Sequence, residues 1–242
     1  MQFLKRATRS FWVVYFFELR IEVSVMMADS TIFPSNTGLG TYKITEEESC
    51  IETIQTALKT GYRHIDTAEA YGNESAIGDG VNSAEIPREE VFIATKVLHP
   101  RFTKGYAYQD IIESVQSCLD RLDIEYVDLL YAPHWPCGGE YNPKETFTAC
   151  KELVDQGLVD DIGVCNFTPE LLDEAVNNAP IPISVLQVEM HPLLQQRALR
   201  QYCKNNAIEI VAYAPLGNGR VLHEPTLKSV AEEHNSTPAQ VS

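Results

Sequence analysis

An acid and a tyrosine stand close together at positions where their side chains could take part in proton transfer. Asp66 follows the short strand-like stretch Tyr62–Ile65, and Tyr71 comes five residues later, just before the turn pair Gly72-Asn73. An acid at the carboxyl end of a strand, with a tyrosine on the next loop, is a typical catalytic placement in a parallel barrel. A tyrosine can act as a general acid only if its pKa of about 10 is lowered, and a buried lysine held by a carboxylate would do that.

The lysine that this chemistry requires follows the next apolar strand. Residues 91–96 form a continuous apolar run that ends in Lys96, as expected of a strand buried on both faces. A lysine in that position needs a carboxylate partner, because an unpaired buried charge is costly. We therefore predict that Lys96 forms an ion pair with Asp66.

Further polar side chains stand at or near the ends of later strands. His134 is expected to end the fourth strand, which we predict over residues 126–132. Asn166 ends the fifth strand, Gln187 lies on the sixth and Tyr213 ends the seventh. In a parallel barrel all of these side chains would lie on one face of the molecule.

The elements that position these residues follow a repeated order of strand, turn and helix from Thr37 onward. Thr45 with Glu48 predicts a capping box, while Asn142-Pro143 and Thr168-Pro169 predict capped helix starts. Gly61 is expected to end the first helix.

Seven alternating strands predict an α/β fold with a parallel sheet and right-handed crossovers. The fold class we expect is a (β/α)8 TIM-type parallel barrel, incomplete because the eighth strand and the C-terminal helices are missing. An open, doubly wound sheet is the competing fold. It would need a G-x-G-x-x-G fingerprint after the first strand, and Gly38-x-Gly40 lacks the third glycine.

Composition limits the partners and the compartment. The formal net charge is −15 and the isoelectric point is near 4.8, which disfavours nucleic acid and anionic membranes as partners. The six cysteines form no C-x-x-C pair and are expected to be reduced thiols in the cytoplasm.

The first 27 residues do not match the rest of the chain. The apolar run over residues 11–17 is too short to span a membrane, and a charged segment interrupts it where a signal-peptide cleavage site would lie. We expect residues 1–27 to be an extension outside the fold, with an upstream mis-start as the preferred explanation and a membrane anchor as the alternative. Residues 28–242 are expected to form a single barrel domain, truncated at its C-terminus.

Several separate motifs over residues 37–242 resemble those of the aldo-keto reductases. The stretch from His64 to Glu74 is similar to the first family signature, and Ala94–Lys96 and His134–Pro136 match the segments that carry the other catalytic residues. Residues 162–167 resemble the fifth-strand motif, which usually has serine where Cys165 stands. The N-terminal hairpin that covers the barrel floor in the family is not recognisable in residues 29–36.

The resemblance implies an oxidoreductase that reduces aldehyde or ketone carbonyls by hydride transfer from NADPH, with NADH as a possible substitute. It implies a catalytic tetrad of Asp66, Tyr71, Lys96 and His134, with Tyr71 as the proton donor. His134 would place the carbonyl oxygen, and Trp135 would join Tyr71 and His134 at a small carbonyl substrate. The implied cofactor-binding residues are Gly40, Thr41, Tyr42, Asp66, Cys165, Asn166, Gln187, Tyr213, Leu216 and Gly217.

We expect a monomer, and the acidic composition predicts that it binds neither nucleic acid nor membrane. The family's segment that binds the adenosine 2'-phosphate follows the eighth strand and is not found before Ser242, so the sequence does not predict a preference between NADPH and NADH. Two alternatives stay open. One is a truncated, non-catalytic fragment of such an enzyme. The other is a metal-dependent barrel hydrolase that would use His64, Asp66, His134 and His191.

Overall fold

The computed structural model describes residues 32–99, 107–136 and 141–242. The extension predicted over residues 1–27 lies outside these ranges. None of the helices in them is both long enough and apolar enough to cross a lipid bilayer.

Seven parallel strands form one sheet in the order of the sequence, and the sheet curves into a nearly closed barrel. Each strand pairs only with its neighbours in sequence, from the first to the seventh. The fold is therefore an incomplete (β/α)8 TIM-type barrel, as predicted. The strands are β1 (Leu39–Gly40), β2 (His64–Asp66), β3 (Phe92–Lys96), β4 (Val127–Tyr131), β5 (Val159–Cys165), β6 (Val185–Glu189) and β7 (Glu209–Tyr213).

Helices connect the strands and cover the outside of the barrel. Two of the predicted N-caps are present: the Asn142 side chain accepts hydrogen bonds from two backbone N–H groups, and that of Thr168 accepts one from Leu171. Gly61 follows the first helix with a φ of 104°, a conformation that favours glycine. The helices are α1 (Glu47–Lys59), α2 (Glu74–Asn82), α3 (Tyr108–Leu122), α4 (Pro143–Asp155), α5 (Pro169–Asn178), α6 (Arg197–Asn205) and α7 (Pro225–Glu233), with 3-10 segments at Glu69–Tyr71, Arg88–Glu90 and Gly217–His223.

The sheet has an open edge between β7 and β1. No backbone pairing joins these two strands within the described ranges. All five residues of β7 are partly exposed, whereas all five residues of β3 are buried. The difference arises because β3 has a neighbouring strand on each side and β7 has one only on the side of β6.

The interior of the barrel holds a small cluster of buried side chains from alternate strand positions. Phe92, Tyr131 and Cys165 belong to it, and Ile32 and Phe33 pack against it from the segment before β1. The Phe33 ring stacks on that of His64 at a centroid distance of 4.8 Å. Residues 32 and 33 thus contact the barrel interior without forming a hairpin of their own.

Glycine 163 on β5 makes room for the largest side chain inside the barrel. A Cβ atom at Gly163 would lie 2.7 Å from the Tyr131 ring. Any larger residue at that position would therefore displace Tyr131, which is fully buried.

Two local predictions were wrong. Helix α1 begins at Glu47 with Glu46 as its N-cap, so Thr45 and Glu48 do not form a capping box. Strand β4 ends at Tyr131, and His134 lies in the following bend instead of ending the strand.

Candidate active site

Lys96 is the centre of a buried polar group at the carboxyl ends of the strands. Its side chain is 1% exposed, and its ammonium group forms an ion pair with the Asp66 carboxylate. The same nitrogen donates to the carbonyl oxygen of Thr67 at 2.8 Å and to the hydroxyl oxygen of Tyr71 at 3.4 Å. An ammonium group has three donors, and each of them has a partner here. The predicted ion pair between Lys96 and Asp66 is confirmed.

Asp66 is held on both of its carboxylate oxygens. Lys96 binds Oδ1, and the side-chain amide of Gln187 donates to Oδ2 at 2.7 Å. Burial alone would lower the pKa of Lys96, but the Asp66 carboxylate and Tyr71 together outweigh it and raise the pKa. Lys96 is therefore charged at neutral pH.

Tyr71 does not have the lowered pKa that the sequence led us to expect. Burial raises the pKa of its hydroxyl above the usual value, and the attraction of Lys96 only partly opposes this effect. The expectation failed because the loss of solvation costs the phenolate more than one neighbouring cation restores. Tyr71 thus keeps its proton at neutral pH, and the lowered pKa that we took as the condition for a general acid is not met, although the charge of Lys96 opposes the effect of burial.

His134 lies across from Tyr71, with the two ring centroids 6.0 Å apart in an edge-on arrangement. Burial, together with the charge of Lys96 and the proximity of His99, lowers the pKa of His134 to about 3. A neutral imidazole offers one N–H donor and one acceptor nitrogen. His134 Nδ1 is buried without a hydrogen-bond partner among the residues described, so its ring retains hydrogen-bonding capacity.

A second polar group joins the segments that follow β4 and β5 to the last residue of β7. Asn166 donates from its side-chain amide to the backbone oxygen of His134 at 3.1 Å. Its amide oxygen accepts a hydrogen bond from the Tyr213 hydroxyl at 3.0 Å. Asn166 has a φ of 61°, a left-handed conformation that asparagine tolerates better than most residues. These contacts fix the amide and the tyrosine ring beside His134.

A cavity of about 510 Å³ opens next to this second group. That volume is within the range of small-molecule and cofactor sites. Its lining combines the Trp135 ring, polar side chains from the strand ends and the first residues of α6. The lining includes Trp135, Asn166, Phe167, Thr168, Glu189, Arg197 and Tyr213.

The loop after β1 is tied to the same region. The backbone N–H and the hydroxyl of Thr41 both donate to the backbone oxygen of Asp66, at 3.0 and 3.1 Å. Tyr42 is 65% exposed, and its ring lies 5.1 Å from the Tyr71 ring. Gly40 ends β1 and is exposed.

Three predicted cofactor residues do not line this cavity. Cys165 is 1% exposed and packs inside the barrel, so its thiol does not line the cavity. Leu216 and Gly217 lie at the start of the 3-10 segment after β7, and Gly217 has a φ of 55°.

Sequence reasoning missed three residues that belong to this region. The Thr67 carbonyl binds Lys96, and the His99 ring lies 5.0 Å from that of His134. Asn73, read only as part of a turn, is buried and donates to the backbone oxygens of Thr41 and Ile44 at 3.0 Å each. The sequence could have indicated His99, because this residue lies three positions after Lys96 at the end of the predicted third strand.

The residues of the proposed metal site do not gather in one place. The His64 ring packs against Phe33 and Phe92, at the end of β2 away from Asp66. His191 contacts Glu189 at 3.2 Å. Within residues 32–99, 107–136 and 141–242, no group of three metal-ligating side chains is close enough to hold an ion. The hydrolase alternative therefore has no support from the geometry.

Comparison with known proteins identifies the family. The Aldo/keto reductase family matches residues 36–242. Glyoxal reductase from Bacillus subtilis is 39% identical over 204 residues, which are 84% of this chain and 71% of that protein. The 9,11-endoperoxide prostaglandin H2 reductase from Trypanosoma cruzi is 38% identical over 207 residues, with the same coverage of 84% and 71%.

A solved structure shares both the fold and the sequence pattern. The structure of a Gox0644 mutant in complex with NADPH is 34% identical and superposes with a TM-score of 0.75, covering 84% of this chain and 72% of that one. The family match extends over more than half of the chain, and the relatives exceed 30% identity. The chain therefore belongs to the aldo/keto reductase family.

Proposed function

We propose that this chain reduces the carbonyl group of small aldehydes or ketones to the alcohol, with NADPH as the hydride donor and Tyr71 as the proton donor. The observation that carries the proposal is the position of Lys96, which contacts the Asp66 carboxylate and the Tyr71 hydroxyl at the same time. The similarity to a glyoxal reductase and to a protein solved with NADPH supports the same reaction class.

The residues beside the cavity fit a nicotinamide. The side-chain amide of Asn166 is complementary to a carboxamide group, and the half-exposed ring of Tyr213 offers a flat surface for stacking. Gln187, Thr41, Tyr42, Leu216 and Gly217 are proposed as further cofactor contacts, and Gly40 and Asp66 as their supports. Cys165 is the weakest member of the set, because its thiol is buried and is a poor hydrogen-bonding group.

The chain's own residues then provide the acid chemistry. A reduced nicotinamide held there would supply the hydride that the carbonyl carbon accepts. As the carbonyl oxygen gains negative charge, Tyr71 transfers its hydroxyl proton to that oxygen, and the alcohol forms. The phenolate left on Tyr71 is stabilised by the Lys96 ammonium group and regains a proton from water. Asp66 keeps Lys96 charged and oriented.

His134 and two aromatic side chains are proposed to bind and admit the substrate. The neutral His134 ring donates one hydrogen bond to the carbonyl oxygen and so orients it toward Tyr71. Trp135, which is 41% exposed, and Tyr42 form the rim through which a small substrate would enter. We propose a monomer, since the whole tetrad comes from one chain, and a cytoplasmic location, since the five cysteines that the structure describes are buried free thiols.

The test is a spectrophotometric assay of NADPH and NADH oxidation with a panel of small aldehydes and ketones. Carbonyl-dependent oxidation that is lost in Tyr71→Phe would support the proposal. The open edge between β7 and β1 favours a second candidate, a polypeptide that keeps the site but does not turn over. Cofactor binding without oxidation of any substrate in the panel would favour this second candidate over the first.

A further inference from the structure

Glu74 is a buried carboxylate with strong partners on both oxygens. Its side chain is 1% exposed. Oε1 accepts a hydrogen bond from the Thr95 hydroxyl at 2.7 Å. Oε2 accepts one from Arg121 Nε at 2.8 Å, with Nη2 of the same guanidinium at 2.7 Å. A carboxylate this buried is stable only when it is paired, so its position and those of its partners are mutually fixed.

The partners of Glu74 connect the segment that carries Tyr71 with the strand that carries Lys96. Glu74 is the first residue of α2 and lies three residues after Tyr71. Thr95 is the residue before Lys96 on β3. Successive side chains of a strand point to opposite faces, so Thr95 holds β3 from outside the barrel while Lys96 points inward.

Close packing of two helices places Arg121 next to Glu74. Gly78 lies one turn after Glu74 on the same face of α2, and a Cβ atom there would come within 2.2 Å of the Leu122 backbone oxygen on α3. The absence of a side chain at Gly78 lets the two helices approach closely. The adjacent residue, Arg121, is thereby held within reach of the Glu74 carboxylate.

On the other side of the same segment, Asn73 makes an independent set of contacts. Its amide nitrogen donates to the backbone oxygens of Thr41 and Ile44, and its amide oxygen accepts a hydrogen bond from the Thr67 hydroxyl at 3.2 Å. The turn that presents Tyr71 is thus followed by two buried polar residues that anchor it in different directions.

We propose that Glu74, acting through Thr95 and Arg121, is a positioning residue that keeps the Tyr71 hydroxyl within hydrogen-bond distance of the Lys96 ammonium group. The inference rests on the proposed function and adds to it a residue that touches none of the reacting atoms. The distance it maintains, 3.4 Å, is near the outer limit for a hydrogen bond, so a displacement of a few tenths of an ångström breaks the contact.

The decisive variant is Thr95→Val, which removes one hydrogen bond to Glu74 without changing the side-chain volume. We expect kcat to fall about tenfold with little change in KM, because misplacement of a catalytic group by about 1 Å costs on the order of 10²-fold. The matched control is Thr146→Val. Thr146 is also fully buried, but its hydroxyl has no partner among the residues described, so this variant should keep the parent kcat.

The pH profile separates positioning from a general loss of structure. Reduction requires protonated Tyr71, so kcat falls as pH rises through the pKa of that hydroxyl. Lys96 lowers this pKa, so moving the hydroxyl away from Lys96 should raise it. The pH at which kcat falls should therefore be higher in Thr95→Val than in the parent. In Thr146→Val that pH should be the same as in the parent. A parent-like kcat and an unshifted profile in Thr95→Val would overturn the inference.

Crystal structures of the same two variants test the inference without any assay. The distance from Lys96 Nζ to the Tyr71 hydroxyl should exceed the hydrogen-bond limit in Thr95→Val and not in Thr146→Val. If no protein in the set reduces a carbonyl compound, the proposed function fails, but this distance still decides the positioning role. Should Thr95→Val not fold, Arg121→Lys provides the same comparison, because it alters a side chain that is 38% exposed. An unchanged distance would contradict the proposal in either variant.

Discussion

The ammonium nitrogen of Lys96 lies 3.4 Å from the hydroxyl oxygen of Tyr71, and its other contacts are to the Asp66 carboxylate and the Thr67 carbonyl. This arrangement puts one buried positive charge beside a phenol that keeps its proton at neutral pH. The tyrosine is therefore protonated before the reaction. The phenolate that forms when it donates its proton is stabilised by the adjacent cation.

The proton donor is tested by Tyr71→Phe. Loss of the hydroxyl should reduce kcat for carbonyl reduction by about 10²- to 10⁴-fold, the range that general acids contribute. The dissociation constant of NADPH, measured by fluorescence titration, should stay nearly unchanged because the hydroxyl acts on the substrate. Tyr62→Phe, at a 39% exposed position outside the site, is the control and should keep the parent kcat. Substantial turnover by Tyr71→Phe would rule out the assigned role.

The ion pair is tested by Lys96→Met. Removing the lysine leaves Asp66 partly buried without its cation, so the free energy of unfolding should fall by about 3–5 kcal/mol. Lys151→Met is the matched control, since Lys151 is exposed and pairs with Asp155 one helical turn away. That change should cost only about 0.3–0.5 kcal/mol. Urea unfolding measures the loss of unfolding free energy in both variants. Equal losses would show that the buried pair of Lys96 and Asp66 stabilises the fold no more than an exposed pair.

Adding Asp66→Asn to Lys96→Met separates stability from catalysis. The double variant no longer buries an unpaired charge, so it should recover part of the lost stability. It should not recover carbonyl reduction, because the cation beside Tyr71 is still absent. Recovery of kcat together with stability would indicate that Lys96 has no role beyond the fold.

Burial of His134 makes stability depend on pH. The folded protein holds this imidazole at a pKa of about 3, whereas an unfolded histidine titrates near 6.5. Between these values the unfolded state binds the proton first, so the free energy of unfolding falls as pH falls, by up to about 1.4 kcal/mol per pH unit from this residue. Urea unfolding between pH 7 and pH 4 should show a shallower slope in His134→Asn than in the parent.

The control for this pH dependence is His223→Asn, which changes an exposed histidine on the 3-10 segment after β7. It should keep the parent slope. If His134→Asn and the parent lose stability equally on acidification, the buried imidazole does not titrate as described.

The open edge of the sheet should limit the stability of the 242-residue polypeptide. The residues of β7 are partly exposed, and within the described ranges no strand pairs with β7 on the side away from β6. Each large apolar side chain left in water forgoes on the order of 2 kcal/mol, against a total stability of about 5–15 kcal/mol. Unpaired strand edges also promote association between chains.

We therefore expect aggregation on size-exclusion chromatography or a low thermal midpoint. A monomer with a sharp cooperative transition would contradict this expectation. A longer polypeptide that carries an eighth strand taken from a relative tests the effect of the open edge. It should have a higher thermal midpoint than the 242-residue polypeptide.

The sequence alone determined the order of the strands, the helix starts at Asn142 and Thr168, and the pairing of Lys96 with Asp66. These features depend on local hydrogen bonds, on the periodicity of apolar residues, or on the rule that a lysine after a buried strand needs a carboxylate. The helix starts and the strands can be recognised from short stretches of the chain. The partner of Lys96 lies 30 residues away and was inferred from the expectation that both residues end neighbouring strands.

Only the tertiary structure decided the start of α1, the pKa of Tyr71 and the roles of Asn73 and Glu74. Helix α1 begins after Thr45, where Asn73 from a distant turn holds the backbone oxygens of Thr41 and Ile44. The pKa of Tyr71 depends on how far burial outweighs one nearby cation, and Glu74 is defined by partners 21 and 47 residues away. Desolvation and long-range contacts are set by the packing of the whole barrel, so no short stretch of sequence contains them.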